Sequence, residues 1–142
     1  MKLTEKVPAY TWLLRLVFTT TSVAWMGLIY YLSSRPPDQI PGVDMFSGLG
    51  ELRDTLGHAA IYLVLGVVML GCAWSWADQR RYQLRWTILP LALGAAYGLL
   101  DELHQSLVPG RSASALDVLT DSAGVITGVL LASRAARRLA KV

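Results

Sequence analysis

The chain has little charge and almost no cysteine. Asp, Glu, Lys and Arg make up only 16% of its 142 residues, and hydrophobic residues make up 54%. Soluble domains average about 25% charged residues, so the apolar side chains are expected to face something other than water. Cys72 is the sole cysteine, which excludes an internal disulfide and a zinc site built from cysteines; we expect it to serve in packing. The length suits one domain, residues 1–142.

The hydrophobic residues are gathered in four stretches, at 16–32, 56–77, 86–100 and 122–133. A hydrocarbon core about 30 Å thick needs roughly 20 apolar residues per helix. The first two stretches meet this length almost alone, whereas the third and fourth reach it only if charged neighbouring segments continue the helices. The sequence therefore predicts an all-α, polytopic membrane helical bundle with four transmembrane helices. Their predicted bounds are about 12–33, 56–77, 85–106 and 115–134, with an outer loop at 34–55.

Two alternatives to this interpretation are a soluble bundle and a first span that is a cleaved signal peptide. A soluble bundle of unusually hydrophobic helices is disfavoured because long runs of Leu, Val and Ile favour membrane insertion. A cleaved signal peptide would fit the basic start at Lys2, Lys6 and Arg15. However, no small-x-small cleavage pattern follows "GLIYYLSS", and the apolar run exceeds a usual signal core. We expect the first span to be an uncleaved anchor.

The charges indicate an orientation. Arg35, Arg53 and Arg111 lie in the first and third connections, and the other ten of the thirteen Lys and Arg lie in the termini and the second connection. The positive-inside rule then predicts that both termini are cytoplasmic. Eight of the ten acids fall on the outer side, all but Glu5 and Asp78. The basic tail "SRAARRLAKV" beside a span predicts contact with anionic lipid, and no nucleic-acid partner is expected.

Polar residues form a stripe on each of the last three predicted helices, near the same outer boundary. The stripes are Asp54, His58 and Tyr62; Tyr97, Asp101 and His104 or Gln105; and Asp117, Asp121, Gly124 and Gly128. Ionisable groups at this depth are costly unless they turn inward and find partners. We therefore predict one polar cluster in the outer half of the bundle. Glycines four residues apart, at 94 and 98 and at 124 and 128, would let the helix backbones approach.

The alternative to a functional cluster is a closed plug, in which Arg111 pairs with an acid and each histidine with a carboxylate. The turn "GRSAS" is equally open to two interpretations. Arg111 with its neighbouring serines could bind an anion, because a guanidinium fits phosphate or carboxylate. In an ordinary turn, Ser112 or Ser114 would cap the fourth helix, with Asp117 near its N-terminus.

The segments "DTLGHAAIYLVLG" and "GAAYGLLDELHQSLVPGRSASALDVLTDSAGVITG" together resemble the VanZ-like family of small bacterial membrane proteins. The most specific part is the succession D-E-x-H-Q, P-G-R-x-x-x-x-x-D and D-x-x-G, and the resemblance extends over about 30–128. One mild departure is Thr55, where many relatives have a lysine or another residue. The family's polar positions fall on residues that we take as ligand-binding candidates: Asp54, His58, Asp101, Glu102, His104, Gln105, Arg111, Asp117 and Asp121.

The resemblance implies a multi-pass protein of the bacterial cytoplasmic (inner) membrane. The name-giving member of the family is associated with low-level resistance to the glycopeptide teicoplanin, so a role in cell-envelope physiology or glycopeptide susceptibility is implied here. Glycopeptides act outside the cytoplasmic membrane, and the predicted polar cluster opens on that side.

Three hypotheses follow for the activity. The first is a non-enzymatic protein that binds a membrane lipid or a lipid-linked cell-wall precursor at the outer leaflet. The second is a membrane-embedded lipid head-group hydrolase or transferase, with His58, His104, Asp101 and Glu102 as catalytic candidates. No cofactor is expected, except that Asp101, Glu102, Asp117 or Asp121 could hold a divalent cation. The third is a subunit of a proton- or ion-coupled carrier.

Overall fold

The computed structural model describes residues 8–40, 48, 51–77 and 84–139, and within them it contains four long helices and no strand. The all-α prediction is confirmed. The basic second connection at 78–83 and part of the predicted outer loop at 34–55, namely 41–47 and 49–50, lie outside the described residues, and the last part of that loop, 51–55, is helical. The helices are α1 (Ala9–Ser33), α2 (Glu51–Trp76), α3 (Arg85–Gln105) and α4 (Ala115–Leu139), with a short 3₁₀ turn at Pro37–Gln39 after α1.

Helix lengths suit a membrane. Helices α1, α2 and α4 are long and apolar enough to span one. Helix α3 has 21 residues, which at 1.5 Å per residue gives about 31 Å, close to the thickness of a hydrocarbon core. Helix α3 is less apolar than α1 and α2, because its last two turns carry the charged residues Asp101 and Glu102.

The buried core is small, and much of the apolar surface is exposed. Large apolar side chains lie exposed on every helix, among them Leu16, Leu56, Leu93 and Leu130. A helix of a soluble bundle buries one apolar stripe, whereas these helices are apolar around most of their circumference, as lipid allows. The buried hydrophobic residues are Ile29, Tyr62, Leu65, Leu70, Val125 and Val129.

The α2–α4 contact is made through glycine. A Cβ added to Gly124 would lie 2.7 Å from the carbonyl oxygen of Ala59, and one added to Gly128 would collide with the carbonyl of Leu63. Gly66 of α2 lies in the same way against the backbone of Val125. The predicted close approach of helix backbones at Gly124 and Gly128 is thus confirmed.

Helix α3 also packs against α4 through glycine. A Cβ on Gly94 would lie 2.7 Å from a methyl group of Val125, and one on Gly98 would lie 3.0 Å from the Cβ of Asp121. Asp121 therefore projects into the space that the missing side chain of Gly98 leaves.

The C-terminal ends of α1 and α3 and the N-terminal ends of α2 and α4 lie together. This region is termed the polar end.

Replacing Gly128 by alanine tests the α2–α4 contact. We expect Gly128→Ala to lower the free energy of unfolding by about 2 kcal/mol, because overpacking against backbone cannot be relieved by a rotamer change. SDS titration in mixed micelles would measure this. The matched control is Gly27→Ala, since no atom lies within 4 Å of a Cβ at Gly27. Equal effects of the two substitutions would contradict the packing described here.

Candidate functional site

Asp101 is the acceptor on which three side chains converge at the polar end. Its Oδ2 accepts hydrogen bonds from the hydroxyl of Ser33 at 2.8 Å, the hydroxyl of Tyr62 at 3.1 Å and the amide of Gln105 at 3.1 Å. Asp101, Ser33, Gln105 and Tyr62 are all buried. Because Ser33 lies on α1 and Tyr62 on α2, this carboxylate of α3 ties three helices together. These residues form the Asp101 network.

Arg111 joins the Asp101 network to the end of α1. Its Nη1 donates to Oε1 of Gln105 at 2.8 Å, and its Nε donates to the carbonyl of Arg35 at 2.8 Å. Its Nη2 donates to the carbonyl of Leu32 at 3.4 Å. The last carbonyls of a helix lack partners within the helix and favour a nearby positive charge, so Arg111 caps α1. The closed plug would have paired Arg111 with an acid, but no acid of the described residues lies within ion-pair distance of it.

His58 and Asp121 form a bridge between α2 and α4. Nδ1 of His58 lies 2.9 Å from Oδ1 of Asp121, which is fully buried. In a neutral imidazole this contact selects the tautomer with the proton on Nδ1 and the lone pair on Nε2. Within the described part of the chain, Nδ1 is the ring nitrogen with a hydrogen-bond partner, and Nε2 has none.

Glu102 holds the start of α4. Its Oε2 accepts a hydrogen bond from the backbone N–H of Ser114 at 2.8 Å, and the hydroxyl of Ser114 accepts one from the N–H of Asp117 at 3.2 Å. The predicted capping of the fourth helix by a serine of this turn is confirmed for Ser114. Glu102 itself is only 2% exposed.

His58, Glu102, Asp117 and Asp121 are termed the His58 cluster. One ring nitrogen of His58 and one carboxylate oxygen each of Glu102 and Asp117 all lie within 4.8 Å of one another. Two buried oxygens of the cluster, Oε1 of Glu102 and Oδ2 of Asp121, have no hydrogen-bond partner among the described residues. Oδ2 of Asp101 accepts three hydrogen bonds from protein groups, whereas these two oxygens of the His58 cluster accept none from the described residues.

A cavity of about 540 Å³ opens at the polar end between α1, α2 and the turn before α4. The apolar residues that line it are Ile29, Leu32, Pro37, Ile40 and Ile61. The polar residues that line it include Arg53, Asp54, His58, Asp101, Gln105, Arg111, Ser112 and Asp117. Glu102 and Asp121 are not among the lining residues, so the buried half of the His58 cluster lies behind His58 and Asp117.

Two predicted site residues lie apart from both groups. Asp54 is exposed at the edge of the cavity and accepts a hydrogen bond from Nε of Arg53 at 2.8 Å. Nε2 of His104 lies 3.0 Å from the hydroxyl of Ser34, and its ring stacks on Tyr30 at 4.8 Å between centroids. His104 is not among the residues that line the cavity.

The structure adds Ser33, which the sequence did not single out, to the site. Its hydroxyl donates to Asp101, and the backbone N–H of Ser114, a predicted capping residue, donates to Glu102. Ser33 lies within the range 30–128 over which the chain resembles the family. Of the two tyrosines on the polar stripes, Tyr62 belongs to the Asp101 network, whereas the hydroxyl of Tyr97 donates to the carbonyl of Met26 at 2.7 Å.

A family model described as VanZ/LLP1 matches residues 18–137. The chain belongs to this family. The matched range contains the Asp101 network, the His58 cluster and all residues of the cavity, so the polar end of this VanZ/LLP1 protein lies within the family's own domain. Among curated proteins and among solved structures, no match to the chain is found.

Arg111 is expected to matter for stability in this VanZ/LLP1 protein. Arg111→Ala should lower the free energy of unfolding by about 2 kcal/mol, because two helix-end carbonyls and a buried amide lose a charged donor. Arg35→Ala is the matched control, since its guanidinium bonds the exposed hydroxyl of Tyr31 and its own carbonyl stays available to Arg111. SDS titration of both variants decides the point. A loss no larger in Arg111→Ala than in Arg35→Ala would refute the capping role.

A second pair of substitutions separates buried from exposed acids. Asp101→Ala leaves three donors without their acceptor, and we expect a loss of about 3 kcal/mol in the free energy of unfolding. Asp54→Ala removes an exposed ion pair, for which about 0.5 kcal/mol or less is expected. Thermal unfolding in one detergent would rank the two. Similar melting temperatures would mean that the Asp101 network does not hold the helices together.

Proposed function

We propose that this VanZ/LLP1 protein binds the head group of a membrane lipid or of a lipid-linked cell-wall precursor in the cavity at its polar end. The observation that carries the proposal is the mixed lining of the cavity. Apolar side chains such as Leu32 and Ile61 line it together with carboxylates, an imidazole and guanidinium groups. A pocket with an apolar side and a few convergent polar groups fits a molecule that has a chain and a head group.

The distribution of charge and aromatic rings supports placing the polar end outside a bacterial cytoplasmic membrane. At the opposite end, the guanidinium of Arg15 lies between the rings of Trp12 and Trp76, at 4.7 and 4.8 Å from their centroids. Tryptophan and arginine at one end of a bundle are typical of a membrane–water interface, and the excess of arginine marks the cytoplasmic side. Both termini would then be cytoplasmic, and the cavity would open toward the outer leaflet.

The polar residues that line the cavity favour a head group that carries both a phosphate and hydroxyl or amino groups. Arg111 makes three hydrogen bonds within the protein, and the guanidinium has further N–H groups for a phosphate oxygen. Asp54 and Asp117 offer acceptors for hydroxyl or ammonium groups in the same cavity. A protein that holds such a molecule at the outer leaflet would act in cell-envelope physiology, including glycopeptide susceptibility.

Filling the cavity tests the proposal. Gly57 lines the cavity, and no atom lies within 4 Å of a Cβ added there, so Gly57→Leu should occupy the space without disturbing a neighbour. Native mass spectrometry of the purified protein should find a retained lipid or precursor in the wild type and at least about tenfold less in Gly57→Leu.

Gly27→Leu is the matched control for this experiment. It also replaces a helical glycine with open surroundings, but Gly27 does not line the cavity. This variant should retain the ligand as the wild type does. If all three proteins retain the same lipid to the same extent, binding occurs elsewhere, and the proposal is wrong.

A further inference from the structure

The His58 cluster places three carboxyl groups beside one basic side chain of the described residues. Glu102 and Asp121 are at least 98% buried, since their exposed fractions are 2% and 0%. Each has one oxygen without a partner among the described residues, and Asp117 lies beside them. A buried carboxylate is costly unless it is paired with a charge or hydrogen-bonded. His58 is the one basic group in contact with these three acids in the described part of the chain.

The hydrogen bonds around the cluster match those that usually orient the ligands of a metal ion. A histidine that binds a metal through one ring nitrogen usually donates the other N–H to a carboxylate, and ligand carboxylates are themselves hydrogen-bonded. Here Nδ1 of His58 contacts Asp121, which leaves Nε2 for a ligand. Oε2 of Glu102 is held by the N–H of Ser114, which leaves Oε1.

We propose that His58, Glu102 and Asp117 bind a divalent transition-metal ion, with Zn²⁺ as the first candidate, and that Asp121 positions His58. Imidazole with carboxylates is a ligand set that Zn²⁺ accepts, and three protein ligands with one open position are typical of its non-structural sites. Mg²⁺ and Ca²⁺ favour six or more oxygen ligands, so an imidazole with two carboxylates suits them less well. His58 and Asp117 line the cavity, so the open position would face it.

The distances permit this with small side-chain movements. Ligand bonds of about 2.0–2.1 Å around a tetrahedral ion place the ligand atoms roughly 3.3 Å apart. One ring nitrogen of His58 and one carboxylate oxygen each of Glu102 and Asp117 lie within 4.8 Å of one another, so these atoms must approach by about 1.5 Å at most. Rotation of the half-buried Asp117 side chain would bring its carboxylate toward the other two ligands, because it has no hydrogen bond to a described residue.

Binding of Zn²⁺ alone tests the site, without any lipid. The purified full-length protein is freed of metal with a chelator, and Zn²⁺ binding is measured by isothermal titration calorimetry and by elemental analysis after desalting. We expect one Zn²⁺ per chain. Co²⁺ in place of Zn²⁺ should give the visible absorption of a four-coordinate ion. Asp117→Asn should weaken Zn²⁺ binding at least about a hundredfold, and Asp121→Asn about tenfold to a hundredfold.

Asp54→Asn is the matched control, because Asp54 is an exposed acid of the same cavity outside the cluster. It should bind Zn²⁺ as the wild type does. Folding of each variant is checked by circular dichroism, and Asp117 is chosen over Glu102 because its conservative replacement removes no helix-holding contact. Stoichiometric binding that is lost in Asp117→Asn and retained in Asp54→Asn supports the site. Absence of Zn²⁺ binding by the wild type, or equal binding by the wild type and a folded Asp117→Asn, overturns it.

Discussion

The contact between the backbones of α2 and α4 is the constraint on which the polar end depends. His58 directly precedes Ala59, whose carbonyl lies against Gly124, and Asp121 lies one turn before Gly124 on α4. The hydrogen bond of 2.9 Å between His58 and Asp121 is therefore fixed by how closely the two helices approach. Gly98 of α3 also positions Asp121, because its missing side chain makes room for the Asp121 side chain. The glycines of the helix contacts thus set the geometry of the polar side chains beside them.

The two polar groups of the polar end differ in how far the protein satisfies them. Asp101 accepts three hydrogen bonds, and Arg111 is held by three acceptors. Inside a low-dielectric bundle a satisfied network rigidifies the fold, whereas an unpaired buried group is costly. Asp121 and Glu102 each keep an oxygen without a described partner. The carboxylates of the polar end therefore divide into Asp101, whose Oδ2 is satisfied by protein donors, and Glu102 and Asp121, each with one oxygen that lacks a described partner.

The sequence predicted the helices from the lengths of their hydrophobic stretches. It predicted the polar end and the glycine contacts because residues three or four positions apart lie on one face of a helix. It left His104 and Gln105 as alternatives on one stripe. The structure brings Gln105 into the Asp101 network and turns His104 toward Ser34, since adjacent helical residues differ by about 100° in direction. The partner of Arg111 was beyond prediction for another reason. Two of its three acceptors are carbonyls at or just after the end of α1, and no periodicity indicates which helix end lies under a distant turn.

Exposure falls steadily from the edge of the cavity into the His58 cluster. The side chain of Asp54 is 61% exposed, that of His58 is 16% exposed, and that of Asp121 is fully buried. A cation or a cationic head group entering from the edge would meet hydrated acids first and the unpaired oxygens last. Coulombic attraction grows as water is excluded, because the effective dielectric constant falls. The attraction would be strongest at the deepest point, where Glu102 and Asp121 each keep one oxygen without a described partner.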